Sequence, residues 1–321
     1  MHSFEELSAA FATRFNNRHF PAQPASLYDP ADYFLGIGGK RVRPVLCLMA
    51  NDLFAPIEED AWQMAMAIEL FHNFTLIHDD IMDRAPLRRG MATVHEKFGS
   101  ATAILTGDVM MVVGYDYISR VNSPHVRRIL HLYNETASHV CEGQQLDMDF
   151  ETREKVGMDD YLHMIGLKTS VLLAASLQIG AILGGAGPGN QDKLYQFGKN
   201  LGIAFQVQDD YLDCYGDASK FGKKPGGDIL AGKKTFLLVK TLELAGDSQR
   251  RRIRELDAAP ADLKIAGMLA LFHECGADAW VRELKEKYRQ AAHDSLEDVA
   301  VLSRRKDPLR QLIDYLLQRE Y

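Results

Sequence analysis

Two acidic clusters stand out for the chemistry they could do: "LIHDDIMD" at 76–83 and "QVQDDYLD" at 206–213. Both read DDxxD within apolar surroundings. On a helix, Asp79 and Asp83 are spaced i,i+4 and share a face, as do Asp209 and Asp213. His72 lies two turns before Asp79 on that side, and Gln206 one turn before Asp209–Asp210. Like charges at this spacing cost helix stability, so something must neutralise them. The second cluster has no Lys or Arg one turn away. A hard divalent cation is the other answer, and oxygen-only ligands without cysteine suit Mg²⁺, which keeps waters and is usually shared with substrate phosphates. A lone DDxxD reads as a solvated acidic face. Two with apolar flanks read as a site, because carboxylates seldom approach burial without a partner.

Basic residues supply the other half. Arg88-Arg89-Gly90 follows the first cluster across a proline, and "GGKRVRP" at 38–44 offers Lys40, Arg41 and Arg43. "GLKTS" at 166–170 offers Lys168, and "FGKKPGGDILAGKKT" offers Lys223, Lys224, Lys233 and Lys234. Guanidinium forks suit phosphate oxygens and ammonium groups act as point charges. The glycine spacing does not fit a nucleotide P-loop. Two carboxylate pairs with several basic clusters indicate diphosphate chemistry, with Mg²⁺ bridging carboxylate and diphosphate.

These groups need long elements to hold them. The chain has 321 residues, 46% of them hydrophobic, which is ample for a large core. A net charge of −7 argues against nucleic acid as a partner. The four cysteines, Cys47, Cys141, Cys214 and Cys275, form no CxxC and fit reduced thiols in a cytoplasm. The N-terminal residues show no apolar h-region, so no signal peptide is expected. The run from Thr169 to Gln191 carries no charge. Its strongly apolar part, Val171 to Leu183, is short for a membrane span and contains Ser176, Gln178 and Gly180, so a buried core helix is expected and stable membrane insertion is not. Helical spacing dominates elsewhere. Residues 61–83 lack internal Gly or Pro and predict one long helix. Val281, Leu284, Tyr288, Ala292 and Leu296 form a stripe, as do Leu309, Leu312, Ile313, Leu316 and Leu317. Asp307-Pro308 predicts an N-cap and first helical residue. No run of alternating strands is evident. The expectation is one large all-α domain.

Taken in order, these motifs resemble the trans-isoprenyl diphosphate synthases, the polyprenyl synthetase family. The order is "GGKRVRP", Glu69-x-x-His72, "LIHDDIMD", "LRRG", "GQQLD" at 143–147, Lys168-Thr169, "FQVQDDYLD" and the "GKKPGGD…GKK" loop. The resemblance covers nearly the whole chain. It implies an isoprenoid synthase-like fold, a single domain over 1–321 built as a bundle of antiparallel helices around a central cavity, usually a homodimer. It implies short-chain prenyl transfer: isopentenyl diphosphate joined head to tail to a C5–C15 allylic diphosphate. Asp79, Asp83 and Asp209 would ligate three Mg²⁺, with Asp80, Asp210 and Asp213 ligating or orienting around them. Arg88, Lys168, Lys233 and Lys223 (or Lys224, since the loop length varies in the family) would hold the allylic diphosphate. Lys40, Arg43, His72 and Arg89 would hold isopentenyl diphosphate. Thr169 and Gln206 would face the developing cation. The resemblance assigns no role to the C-terminal "QREY".

Product length in this family follows the residues beneath the first acidic motif. At 1.5 Å per residue, Thr75 and Phe74 lie roughly 6–7 Å deeper than Asp79 along the helix, and Phe71 one turn further. An aromatic at Phe74 favours C15 to C20. Together with Thr75 and the absence of a two-residue insertion in the motif, it resembles the archaeal geranylgeranyl type and favours C20. The alternative is that Phe71 and Phe74 are core residues and another helix sets the length. The rival functions are an HD-type metal phosphohydrolase, for which "FHNFTLIHDD" would supply the motif, a terpene cyclase, and a non-catalytic regulatory subunit of a synthase heteromer. None of the three needs both DDxxD clusters together with the Arg-Arg-Gly.

Overall fold

A computed structural model describes residues 1–216 and 225–317. The described chain is helical throughout, apart from a two-residue ladder pairing Leu87–Arg88 with Met91–Ala92. It divides into two compact units, each assembled from separated stretches. The first takes Met1–Glu135, Leu173–Tyr195 and Leu296–Arg310; the second takes Thr136–Leu172, Gln196–Ser295 and the stretch from Gln311.

In the first unit the predicted long helix runs Glu59–Met82. It packs along the Ser100–Ser119 helix, with Val42–Asp52 on another side. Every residue from Pro44 to Asp52 is buried, so this helix is enclosed on all faces. Gly180 explains part of that enclosure, since a Cβ there would lie 2.0 Å from the Cys47 carbonyl oxygen. The Val171–Leu183 helix is a core helix as expected. The Met158–Leu183 stretch is the one helical run among the described residues long and apolar enough to cross a membrane, and 78% of its apolar window is buried.

The second unit builds its core from Phe150, Tyr161, Met164, Ile203, Val207, Phe236 and Phe272. Two features differ from expectation. The last helix begins at Ser303, not at Pro308, which sits inside it. The extra turn is held by side chains in place of a cap: Arg310 Nη2 donates to Ser303 Oγ at 3.0 Å, and Arg310 also grips Glu297. The other is the short Leu87–Ala92 hairpin, missed because each strand is only two residues long. Its two central residues, Arg89 (φ 52°) and Gly90 (φ 78°), are both left-handed, as a type I′ turn requires.

Candidate active site

The first unit carries two groups of predicted residues. Along the Glu59–Met82 helix, Asp80 is buried and Asp79 half-buried, while Asp83 caps the exposed end. Arg88 grips Asp80 with a fork, Nε to Oδ2 at 2.8 Å and Nη2 to Oδ1 at 2.7 Å. Asp80 is thereby an orienting partner of Arg88. Arg88 Nη2 stands 3.7 Å from Asp79 Oδ2.

The second group gathers around Arg41–Arg43. Arg41, left-handed at φ 52°, turns its guanidinium inward onto buried Glu69 and the Leu35 carbonyl, 3.0 Å away. Asn73 Nδ2 donates to the same Glu69 carboxylate at 2.8 Å. This anchors the loop that carries exposed Lys40 and the first turn of the helix that carries half-buried Arg43. Arg43 Nη1 lies 3.1 Å from His72 Nε2. A guanidinium only donates, so Nε2 accepts and His72 is the neutral tautomer with its proton on Nδ1. Burial, then Arg43, Arg89, Arg88 and Arg41, hold its pKa well below the usual value. Exposed Arg89 reaches back over Gly39, where a Cβ would sit 2.9 Å from Arg89 Nη1. Gly39 thus admits the Arg89 side chain, whereas Gly38 and Gly90, with no atom within 4 Å of a built Cβ, serve their left-handed turns.

Phe71 is fully buried and Phe74 half-buried, their ring centroids 5.6 Å apart. Phe71 also meets Tyr133 edge-on at 5.5 Å, and Thr75 Oγ1 donates to the His72 carbonyl at 2.8 Å. His78 is tucked against Gly107, with Nε2 3.0 Å from the Ile104 carbonyl oxygen. It does not converge with His72 on a metal site. An HD-type phosphohydrolase needs that convergence.

The second unit gathers Lys168, Thr169, Gln206 and Lys233 around one cavity of about 110 Å³. Asp147, Tyr161, Asp210 and Asp228 join them in its lining. Lys168 and Thr169 lie on a π-helical turn, Gly166–Ser170, at the junction of two α-helices. Such bulges recur at functional sites because the extra residue re-aims the side chains. Two glycines clamp this one. A Cβ at Gly143 would fall 2.2 Å from the Lys168 backbone nitrogen, and one at Gly202 would fall 2.6 Å from Ser170 Cα. One turn beyond Gly143, Asp147 accepts from Lys168 Nζ at 2.6 Å and lies 3.6 Å from Lys233 Nζ. Burial would raise the Asp147 pKa, but the two ammonium groups outweigh it and hold the carboxyl below its ordinary value. "GQQLD" therefore keeps both lysines: Gly143 admits the backbone of one and Asp147 holds the heads of both. The motif alone does not show this role; the i,i+4 spacing of Gly143 and Asp147 is its signal in the sequence.

Asp210 is buried and accepts from Tyr161, Gln206 and the Phe236 backbone N–H. Asp213 accepts from the Asp228 backbone N–H at 3.0 Å. Burial, then the neighbouring carboxylates Asp213 and Asp210, push Asp228 up to about 7, against the pull of Lys233. No cluster of three His, Cys, Asp or Glu side chains able to hold a metal forms among the described residues, so a hard divalent cation on these oxygen donors would draw the rest of its coordination from water and substrate oxygens. Lys223 and Lys224 lie outside the described residues. A larger cavity of about 620 Å³ in the first unit, between the N-terminal helix and Trp62, is lined by none of the predicted residues.

Residues 24–265 match the polyprenyl synthetase family. The chain belongs to the polyprenyl synthetase family. Among curated members, a geranylgeranyl diphosphate synthase of Methanosarcina mazei is 38% identical over 307 residues, 93% of this chain and 91% of that protein. A geranylfarnesyl diphosphate synthase of Natronomonas pharaonis is 32% identical, over 95% of this chain and 94% of its own. Among solved structures, a geranylgeranyl pyrophosphate synthase superposes with a TM-score of 0.94 at 39% identity, covering 100% of both chains. This polyprenyl synthetase thus has the all-α isoprenoid synthase fold, and prenyl synthases of this family use a divalent metal.

Proposed function

We propose that this short-chain prenyltransferase joins isopentenyl diphosphate head to tail to an allylic diphosphate and releases a C20 prenyl diphosphate. One observation carries the reading. The second-unit cavity sets three lysines, Lys168, Lys233 and Lys234, fit for an anion, beside the oxygens of Thr169 and Gln206, fit for a cation. Ionising an allylic diphosphate creates both charges at once, and fixed charges facing each are the largest usual source of rate enhancement.

Lys168, Lys233 and Arg88 take the departing diphosphate, with a lysine of the 223–224 pair joining them. Lys40, Arg43, His72 and Arg89 hold isopentenyl diphosphate, His72 donating from Nδ1. Asp79, Asp83 and Asp209 hold Mg²⁺, three ions in this reading, which supply positive charge to the leaving diphosphate. The allylic C–O bond ionises, and the double bond of isopentenyl diphosphate, held alongside, attacks the cation. The proton lost from the new chain goes to the released diphosphate. Thr169 and Gln206 offer lone pairs to the cation throughout. The enzyme in this reading is cytoplasmic and works as a homodimer. Phe74 beneath Asp79 and the geranylgeranyl synthases among the relatives both support C20.

The test is incubation with isopentenyl diphosphate, Mg²⁺ and each of the C5, C10 and C15 allylic diphosphates, with products sized after dephosphorylation. A C20 product that EDTA abolishes is expected. C15 or C25 would correct the length alone, and no elongation from any starter would overturn the function.

A further inference from the structure

We propose that Tyr161 and Asp210 are positioning residues that fix the polarity of the cavity wall. They hold Gln206 and Thr169 with oxygen lone pairs, never protons, toward the carbon that becomes cationic. The proposal rests on the prenyl-transfer reading above.

The chain of hydrogen bonds has one possible direction. Tyr161, 1% exposed, donates to Asp210 Oδ2 at 2.7 Å, and the Phe236 N–H reaches the same oxygen at 3.2 Å. Gln206 Nε2 donates to Asp210 Oδ1 at 2.9 Å. A carboxylate only accepts, so the Gln206 amide must turn its nitrogen to Asp210 and its oxygen away. That oxygen accepts from Thr169 Oγ1 at 2.9 Å. The single hydroxyl proton of Thr169 is then spent, and its remaining capacity is lone pairs. Thr169, Gln206, Asp210 and Tyr161 all line the cavity that Lys168 and Lys233 line. A flipped Gln206 would present N–H groups there and repel a cation. Tyr161 and the Phe236 N–H pin one carboxylate oxygen, which keeps the other aimed at Gln206. Buried networks of this sort specify one arrangement only while every member is satisfied.

A plain packing role for Tyr161, beside Phe236 at 6.2 Å between ring centroids, predicts different behaviour. The variant Tyr161→Phe keeps the ring and removes only the donor. Its kcat should fall about tenfold, with KM for both diphosphates and the half-saturating Mg²⁺ changed by less than about twofold. The share of allylic substrate released as free alcohol should rise, since a poorly held cation is captured by water. In a Gln206→Leu background the same substitution should cost less than about twofold, because the residue it acts through is gone.

Equal losses in both backgrounds would overturn the proposal, as would a raised KM or Mg²⁺ requirement at unchanged kcat. Should Tyr161→Phe fail to fold, Asp210→Asn carries the test. An asparagine amide donates where Asp210 accepts, so kcat should fall at least as far at saturating Mg²⁺. Full recovery of kcat by added Mg²⁺ would instead make Asp210 a metal ligand and overturn the proposal. Failure of the wild type to elongate any starter would overturn the underlying function, and that outcome is visible before any variant is made.

Discussion

His72 shows how a partner decides a charge. Arg43 needs an acceptor on Nε2, so the folded protein keeps the ring neutral and its pKa depressed. An unfolded histidine titrates near 6.5, so below that pH the unfolded chain binds a proton the folded one refuses. Stability from this group is therefore intact above about pH 6.5 and declines as pH falls toward the folded pKa, by up to about 1.4 kcal/mol per unit. The measurement is urea unfolding at pH 7.5 and 5.5 for wild type and His72→Asn. The wild type should lose about 1 kcal/mol more than the variant over that interval; equal losses would mean that His72 is protonated in the fold. Phe74 makes a second prediction at this scale. Its ring is half-buried between Phe71 and His78, which leaves it available as a floor, whereas Phe71 is locked against Tyr133. Phe74→Ala should shift products from C20 to C25 and longer. Unchanged products would place the floor on another helix.

Among the elements, the π-helical turn at Gly166–Ser170 depends on its neighbours more than on its own residues. Gly143 and Gly202 leave no room for a methyl group where their helices meet it. Gly143→Ala must push back the Lys168 backbone, at a cost of about 1–3 kcal/mol in stability, as overpacking usually costs. It should also lower kcat more than its stability loss alone explains, because Lys168 and Thr169 move together. Gly189→Ala, with nothing within 4 Å of its Cβ, is the control and should stay within about 0.5 kcal/mol. Thermal unfolding and steady-state rates on both variants separate the two cases. The same turn marks where the sequence stopped being legible. The Glu59–Met82 helix could be read within two residues of its ends, because its signal, unbroken helical spacing, is local. The register shift that makes a π turn is imposed by two glycines about 25 to 35 positions away and leaves no periodic trace. Asp147 was hidden for a related reason, since its partners Lys168 and Lys233 are brought to it only by folding. At Ser303 the misread was of another kind: Asp307-Pro308 is a sound local start signal, overridden by Arg310 binding the turn before it.

At the scale of the whole molecule, the Ser100–Ser119 helix has one apolar face more than a monomer needs. Ala103, Thr106, Gly107, Met110, Gly114 and Ile118 face the unit's core. On the opposite side Ile104, Leu105, Val112 and Tyr115 are 47%, 57%, 61% and 37% exposed. On a helix they spread over a face about 100° wide, which exposed Asp108 shares. Apolar stripes of this length on a soluble surface mark interaction sites, and a second copy is the partner that the homodimer reading supplies. In a twofold arrangement each substitution acts twice at the interface, so a single buried charge is costly. Val112→Glu, which changes nothing in the core, should therefore convert the protein from twice 36.0 kDa to 36.0 kDa in sedimentation equilibrium at micromolar concentration. The helix it sits on packs along the one that carries Asp79 and Phe74, so loss of the partner should loosen that support and lower activity as the dimer dissociates. A Val112→Glu protein that remains a dimer would place the interface on another surface. A wild type that sediments as a monomer would leave the stripe to a different partner.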